Sequence, residues 1–183
     1  TYIANPQILS DNKINQKGQR IFYTYTAIPQ STGADSIPYI TIMQVNKVLT
    51  KEPVFVEDND AKDYGTDPIE ISGQSISKAH LNLRYTFLNG GNHLIPHSIS
   101  LLIAKDAQPD ARGYLSAELR HDAADDLQLN ANSGYVSFTL ENMPGFKEGT
   151  LKGFKIKTKT IKNETDIVEV TMNNNRKSMN FNI

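Results

Sequence analysis

The chain contains no cysteine in 183 residues. That excludes disulfide staples, thiol nucleophiles and thiolate metal sites, and it fits both a reducing cytosol and a secreted protein that does without bridges. No apolar run approaches the ~20 residues of a membrane helix, and no basic-then-apolar signal stretch opens the sequence. Neither sign of charge dominates: nineteen Lys and Arg stand against twenty Asp and Glu, a formal net charge of -1. Such a balance supplies no global field for polyanions and argues against a dedicated nucleic-acid binder. Helical periodicity is missing along the whole chain. Serine-nucleophile signatures are missing too: there is no Gly-x-Ser-x-Gly, and Ser75-Ile76-Ser77-Lys78 carries a Ser-x-x-Lys spacing without its supporting motifs. Gly90-Gly91 reads as a turn rather than a phosphate cradle.

What is present is a succession of short strands in a chain long enough to bury about 70% of its unfolded surface. A polar, loop-like arm runs from Thr1 through Gly18, the pattern expected where a leader or tether has been removed upstream. Arg20 to Ile28 and Ile37 to Val45 are β-branched and aromatic and flank a Gly-containing turn, so they read as a hairpin. Lys47 to Glu57 adds short extended pieces around Pro53, which favours an edge strand or turn. Further on, Leu81, Leu83, Tyr85 and Phe87 alternate with Asn82, Arg84 and Thr86. The same period of two carries Ile99, Leu101 and Ile103; Val136, Phe138 and Leu140; and Val168, Val170 and Met172. In Leu151 to Ile161, Phe154 and Ile156 oppose Lys155, Lys157 and Lys159, which read as the solvent face.

These strands predict an all-β protein, a small barrel or curled sheet followed by an antiparallel β-sandwich. The polar window Asp58 to Asp67 is the expected boundary, giving a first unit over 1–57 and a second over 58–183. As a calcium loop this window fails, because Lys62 and Asp63 occupy the fifth and sixth positions where a ligand and a glycine belong.

The densest chemistry lies in Ala117 to Asp126. Leu115, Ala117 and Leu119 alternate with Ser116, Glu118 and Arg120, a half-buried strand that breaks at His121 into a carboxylate-rich loop. His121 with Asp122, Asp125 or Asp126 could serve as metal ligands or as an acid and base pair, but one histidine among loop carboxylates lacks the spacing of a metal set. His80, His93 and His97 have no spacing that brings them to it. Arg120, His121, Asp122, Asp125 and Asp126 are therefore read as structural, with Arg120 reaching a carboxylate at the strand's end and one of the adjacent aspartates taking turn amides. No catalytic residue, metal or cofactor is expected. Phe22, Tyr23, Tyr25 and Tyr39 are candidate stacking surfaces for sugars or bases.

Val48-Leu49-Thr50-Lys51, Gly65 to Ile69, His80 to Phe87, Pro96-His97 followed by Ile99 and Leu101, Leu119 to Asp126, and Gly134 to Leu140 together make the chain resemble the NigD-like family of Bacteroidetes envelope proteins. The resemblance implies an N-terminal OB-like barrel and a C-terminal β-sandwich on a lipoprotein whose lipidated cysteine lies upstream of Thr1, facing the periplasm or the cell surface. It also implies an association with a bacteriocin locus, and it offers no catalytic residues. Asp122 stands where such proteins would carry asparagine. Asp35-Ser36-Ile37 looks like the O-glycosylation acceptor used in that phylum, with Ser36 as the acceptor. The expected function is then a non-catalytic envelope module that binds a protein or glycan partner. An OB-type glycan or nucleic-acid binder comes second, and a metal-dependent hydrolase centred on His121 third.

Overall fold

The computed structural model describes residues 2–16, 19–29, 39–57, 61–91 and 94–172. Among them the chain is nearly all β, with twelve strands in three sheets. It divides into two compact units, Thr1–Thr50 and Lys51–Ile183. The break falls seven residues before the boundary expected at Asp58. Polarity marked the linker, but Val54 to Val56 already belong to the second unit, where they pair with a core strand.

In the first unit, β1 (Tyr2–Ile3), β2 (Ile21–Ile28) and β3 (Tyr39–Lys47) form a sheet of order β1-β3-β2. β2 and β3 pair antiparallel as the hairpin reading requires, while β1 pairs parallel to β3. The arm is not loop-like. Ile3, Ile8, Leu9 and Ile14 pack on Ile40, Ile42 and Val45, and a short helix α1 (Gln7–Asp11) carries two of them. Asn5 extends the pairing through its side chain, whose amide donates to the Ile42 carbonyl at 2.8 Å while its oxygen accepts the Ile42 N–H at 2.9 Å. Three strands cannot close a cylinder, so the described residues form an open sheet rather than the barrel that the resemblance implied.

The second unit is a β-sandwich. Its strands are β5 (Val54–Val56), β6 (Ile69–Ser77), β7 (His80–Asn89), β8 (Ser98–Ala104), β9 (Tyr114–Asp122), β10 (Asn130–Thr139), β11 (Gly153–Lys159) and β12 (Thr165–Thr171), with β4 (Leu49–Lys51) at the junction of the units in sequence. One layer runs β10-β7-β6 and is antiparallel. The other runs β12-β11-β9-β8-β5 and is mixed. β11 lies parallel to β9 because the intervening β10 crosses to the opposite layer, and β5 lies parallel to β8 because β6 and β7 do the same. The expected antiparallel sandwich is present, with these two pairs as its parallel exceptions, since period-two alternation marks a strand's faces and not its direction.

Between the layers, Leu81, Leu83, Val136 and Phe138 meet Leu101, Leu115, Leu119, Phe154 and Ile156, each 0–1% exposed. The fully buried hydroxyl of Thr158 donates to the Ile69 carbonyl and ties the layers through a polar contact. Lys155, Lys157 and Lys159 point away from this core, yet all three are engaged: Lys155 on Asp110, Lys157 on Glu118 and Lys159 on the Thr66 carbonyl.

Candidate functional site

Three inward-facing rows of the sandwich run out at the same end. Leu81-Leu83-Tyr85 continues to Phe87, Ile99 is preceded by His97, and Leu115-Ala117-Leu119 continues to His121. β9 does not break at His121. It runs to Asp122, and Ile99 pairs opposite His121, so the imidazole occupies a core position and is 1% exposed. Phe87 packs edge-on to both imidazoles, with ring centroids 5.2 Å from His97 and 5.4 Å from His121.

The two histidines form a chain with Asp126. His121 Nδ1 lies 3.1 Å from the Pro68 carbonyl, and its Nε2 lies 2.9 Å from His97 Nδ1. His97 Nε2 then meets Asp126 Oδ2 at 3.1 Å, an ion-pair contact in which both side chains are mostly buried. The carboxylate also accepts two backbone N–H groups, Gly90 at 2.8 Å and Leu127 at 2.9 Å. Those bonds, the Gly90 amide first, hold the Asp126 carboxyl below its ordinary pKa against the opposing effect of burial. Burial is the main cause for His121 as well, lowering its pKa and favouring the neutral ring.

The loop from Ala123 to Leu129 hangs on this chain. Asp67 grips it from the other side, accepting the Ala123 N–H at 2.8 Å and the Gln128 side-chain amide at 2.9 Å, while its own N–H donates to the His121 carbonyl. Two successive residues, Ala124 and Asp125, take left-handed φ values of 50° and 61°. Such a pair without glycine costs energy and persists only where surrounding contacts fix it. Close approach completes the clamp. A Cβ on Gly90 would sit 2.6 Å from Asp126 Oδ1, and one on Gly65 would sit 2.4 Å from the His121 carbonyl oxygen.

The expected roles distribute as follows. Asp126 takes backbone amides; Asp125 forms the exposed left-handed corner; the Asp122 carboxylate accepts the Ala124 N–H at 2.8 Å. Arg120 does not reach a carboxylate at the strand's end. It lies on the outer face, its Nε 3.1 Å from Glu118 and its Nη1 donating to the Gly65 carbonyl at 3.1 Å, because the left-handed Gly65 turn brings that carbonyl nearer. There it borders a cleft of about 260 Å³ with Lys157 and Lys159, next to a groove of about 560 Å³ floored by Val56, Leu102 and Ala104. The structure also brings together His97 and His121, which sequence spacing had kept apart. His80 lies at the start of β7, at the far end of that strand from Phe87, and His93 lies outside the described residues.

The four candidate stacking aromatics divide between the two faces of the N-terminal sheet. Tyr23 and Tyr25 pair opposite Val45 and Ile42 and lie side by side at 5.8 Å, about half exposed. Phe22 and Tyr39 belong to the other face, where Tyr39 stacks on Tyr2 at 5.3 Å. Ser36 lies outside the described residues.

Chemically, the buried chain is closed. Both ring nitrogens of His121 face hydrogen-bonding partners, and among the described residues no group of three or more His, Asp or Glu side chains could hold a metal ion. Among the described residues the molecule is a nearly all-β protein in which a polar cluster at one end of the sandwich braces a loop. Residues 52–172, well over half of the chain, match the NigD-like C-terminal β-sandwich domain, and the chain belongs to the NigD-like family. Among solved structures it is similar to a toxin-related protein from Parabacteroides distasonis, at 25% identity and a TM-score of 0.70, covering 94% of this chain and 79% of that one. It is similar in fold to a NigD-like immunity protein from Bacteroides caccae, at 17% identity and a TM-score of 0.59, covering 82% and 70%. A protein labelled a lipoprotein from Bacteroides fragilis matches at 11% identity and a TM-score of 0.55, covering 73% and 75%. No curated protein matches.

Proposed function

We propose that the chain is a non-catalytic cell-envelope module that binds a partner through the loop between β9 and β10. The observation that carries this reading is the loop's construction. Leu127 and Leu129 are 64% and 70% exposed, yet the loop that presents them is clamped by Asp67, Asp126 and the buried histidines. Solvent does not reward holding two leucines outward on a strained, braced loop. A partner that buries them does, and a pre-ordered loop lowers the entropy lost on binding. Envelope placement by a lipid anchor upstream of Thr1, and a link to bacteriocin immunity, are proposed on the family and on its lipoprotein-labelled and immunity-labelled relatives.

Replacing Leu127 and Leu129 together by Asp tests the reading. The double variant should keep its urea midpoint, because neither side chain is in the core, and should lose retention of envelope extract components that the wild type retains. Unchanged retention would place binding elsewhere. A second reading, glycan binding, is supported by the exposed Tyr2–Tyr39 stack and the Tyr23–Tyr25 pair. Retention on immobilised glycans that is abolished by Tyr39→Ala but not by the loop variant would favour it.

A further inference from the structure

We infer that the chain Pro68–His121–His97–Asp126 is a proton-gated clasp, complete only when His97 carries two protons, and that removing one of them loosens the loop from Ala123 to Leu129. The assignment follows from which atoms can donate. The Pro68 carbonyl only accepts, so His121 Nδ1 must bear hydrogen. His121 is 1% exposed and burial disfavours its cation, so its Nε2 is left as an acceptor. His97 Nδ1 must therefore donate to it across 2.9 Å. At the other end, Asp126 is already committed as an anion by the N–H groups of Gly90 and Leu127, so His97 Nε2 must donate as well. A ring that donates from both nitrogens is an imidazolium.

Neutral His97 satisfies one contact and turns a lone pair toward the other acceptor. If the bare nitrogen faces Asp126, the carboxylate repels it at 3.1 Å; if it faces His121, two lone pairs meet at 2.9 Å. Turning His121 to its other tautomer only moves the conflict to the Pro68 carbonyl. The groups that face the pair decide which state wins. Asp126 from the loop touches His97 directly, while Asp67 and Asp122 act on His121 from the preceding segment and from β9. β7 contributes only the uncharged ring of Phe87. With one link lost, the tether at Asp126 weakens, and the loop has its left-handed Ala124–Asp125 corner ready to relax. The inference stands apart from partner binding, because its readouts are a proton and the order of the loop.

The test is a ring-nitrogen and amide measurement on the full chain, uniformly labelled with nitrogen-15, across roughly pH 5 to 9, the range in which histidines change charge. At the acidic end both His97 nitrogens should carry hydrogen while His121 keeps one bare nitrogen. As His97 loses its proton, hydrogen-exchange protection of the Gly90 and Leu127 amides, corrected for intrinsic exchange, should fall about tenfold, the scale of one lost charge-assisted hydrogen bond. Asp126→Asn should abolish that pH dependence, because the Gly90 N–H and His97 Nε2 share Oδ2: an amide nitrogen placed there leaves the Gly90 N–H without its acceptor at every pH, and an amide oxygen placed there carries no charge to hold a second proton on His97. A bare nitrogen on His97 while both amides remain protected, protection that ignores the titration, or the wild-type pH dependence persisting in Asp126→Asn would each overturn the inference. The ring-nitrogen reading needs no variant and decides alone.

Discussion

Replacing His121 by Phe separates a histidine that merely fills the core from one whose nitrogens hold the end of the sandwich together. Phe keeps a flat ring at a position 1% exposed beside Phe87, so most of the packing survives. What is lost is both nitrogens, leaving the Pro68 carbonyl and His97 Nδ1 without the partners they meet at 3.1 and 2.9 Å. Each abandoned buried group costs about 1–3 kcal/mol, and allowing for the apolar gain of the new ring, the expected loss is ~2–4 kcal/mol. For a chain of this size that lowers the thermal midpoint by roughly 5–15 °C. Urea unfolding followed by far-UV circular dichroism reads the loss. There is a second signature in pH. Burial lowers the His121 pKa, so its stabilising contribution is full above the ordinary histidine value of about 6.5 and is lost as pH falls through that value toward the folded one. His121 therefore sheds its own share of stability on mild acidification, against the contacts that doubly protonated His97 completes, and His121→Phe should change the net acid slope by removing both. A variant as stable as the wild type, with the same acid slope, would refute the bracing role.

Phe138→Ala removes a ring that is 0% exposed between the layers and should cost about 3–5 kcal/mol by urea unfolding; a loss below ~1 kcal/mol would contradict its place in the core. Gly65→Ala puts a Cβ 2.4 Å from the His121 carbonyl oxygen at a φ of +73°, so the thermal midpoint should fall, and an unchanged midpoint would mean that the 64–68 segment does not dock on β9 as described. Asp110 titrates at about 2, held down first by its hydrogen bond from Lys155 and then by the Tyr114 N–H. Its contribution is present above the ordinary carboxylate range and lost as pH falls toward 2. Carboxyl-carbon NMR of Lys155→Met should show that pKa raised, and an unchanged value would remove Lys155 as the main cause.

Much of the sandwich was legible because its rows are plain. Ile99-Leu101-Ile103 and Val136-Phe138-Leu140 alternate over an apolar core, and each became a core row. Strand direction was not legible, since β9 and β11 run parallel only through the excursion of β10 to the other layer. In the first unit, a helix of five residues is too short to show a period, which hid α1 inside a polar arm. The histidine chain escaped for a different reason. Spacing along the chain does not link His97 to His121, yet each continues by parity an inward row, 97-99-101-103 and 115-117-119-121. Carrying the alternation one step past the last aliphatic residue would have put both imidazoles on the same end of the core, with Phe87 between them. No sequence rule places the Pro68 carbonyl or the Gly90 amide, which come from turns remote in the chain.

The loop between β9 and β10 as a braced binding surface is the central claim, and site-specific photo-crosslinking in intact envelopes tests it most directly. A crosslinkable residue is placed at Leu127, with the equally exposed Ile167 on β12 as control. The account predicts one saturable adduct from position 127 and none from 167. Adducts from 167 with none from 127 would contradict it.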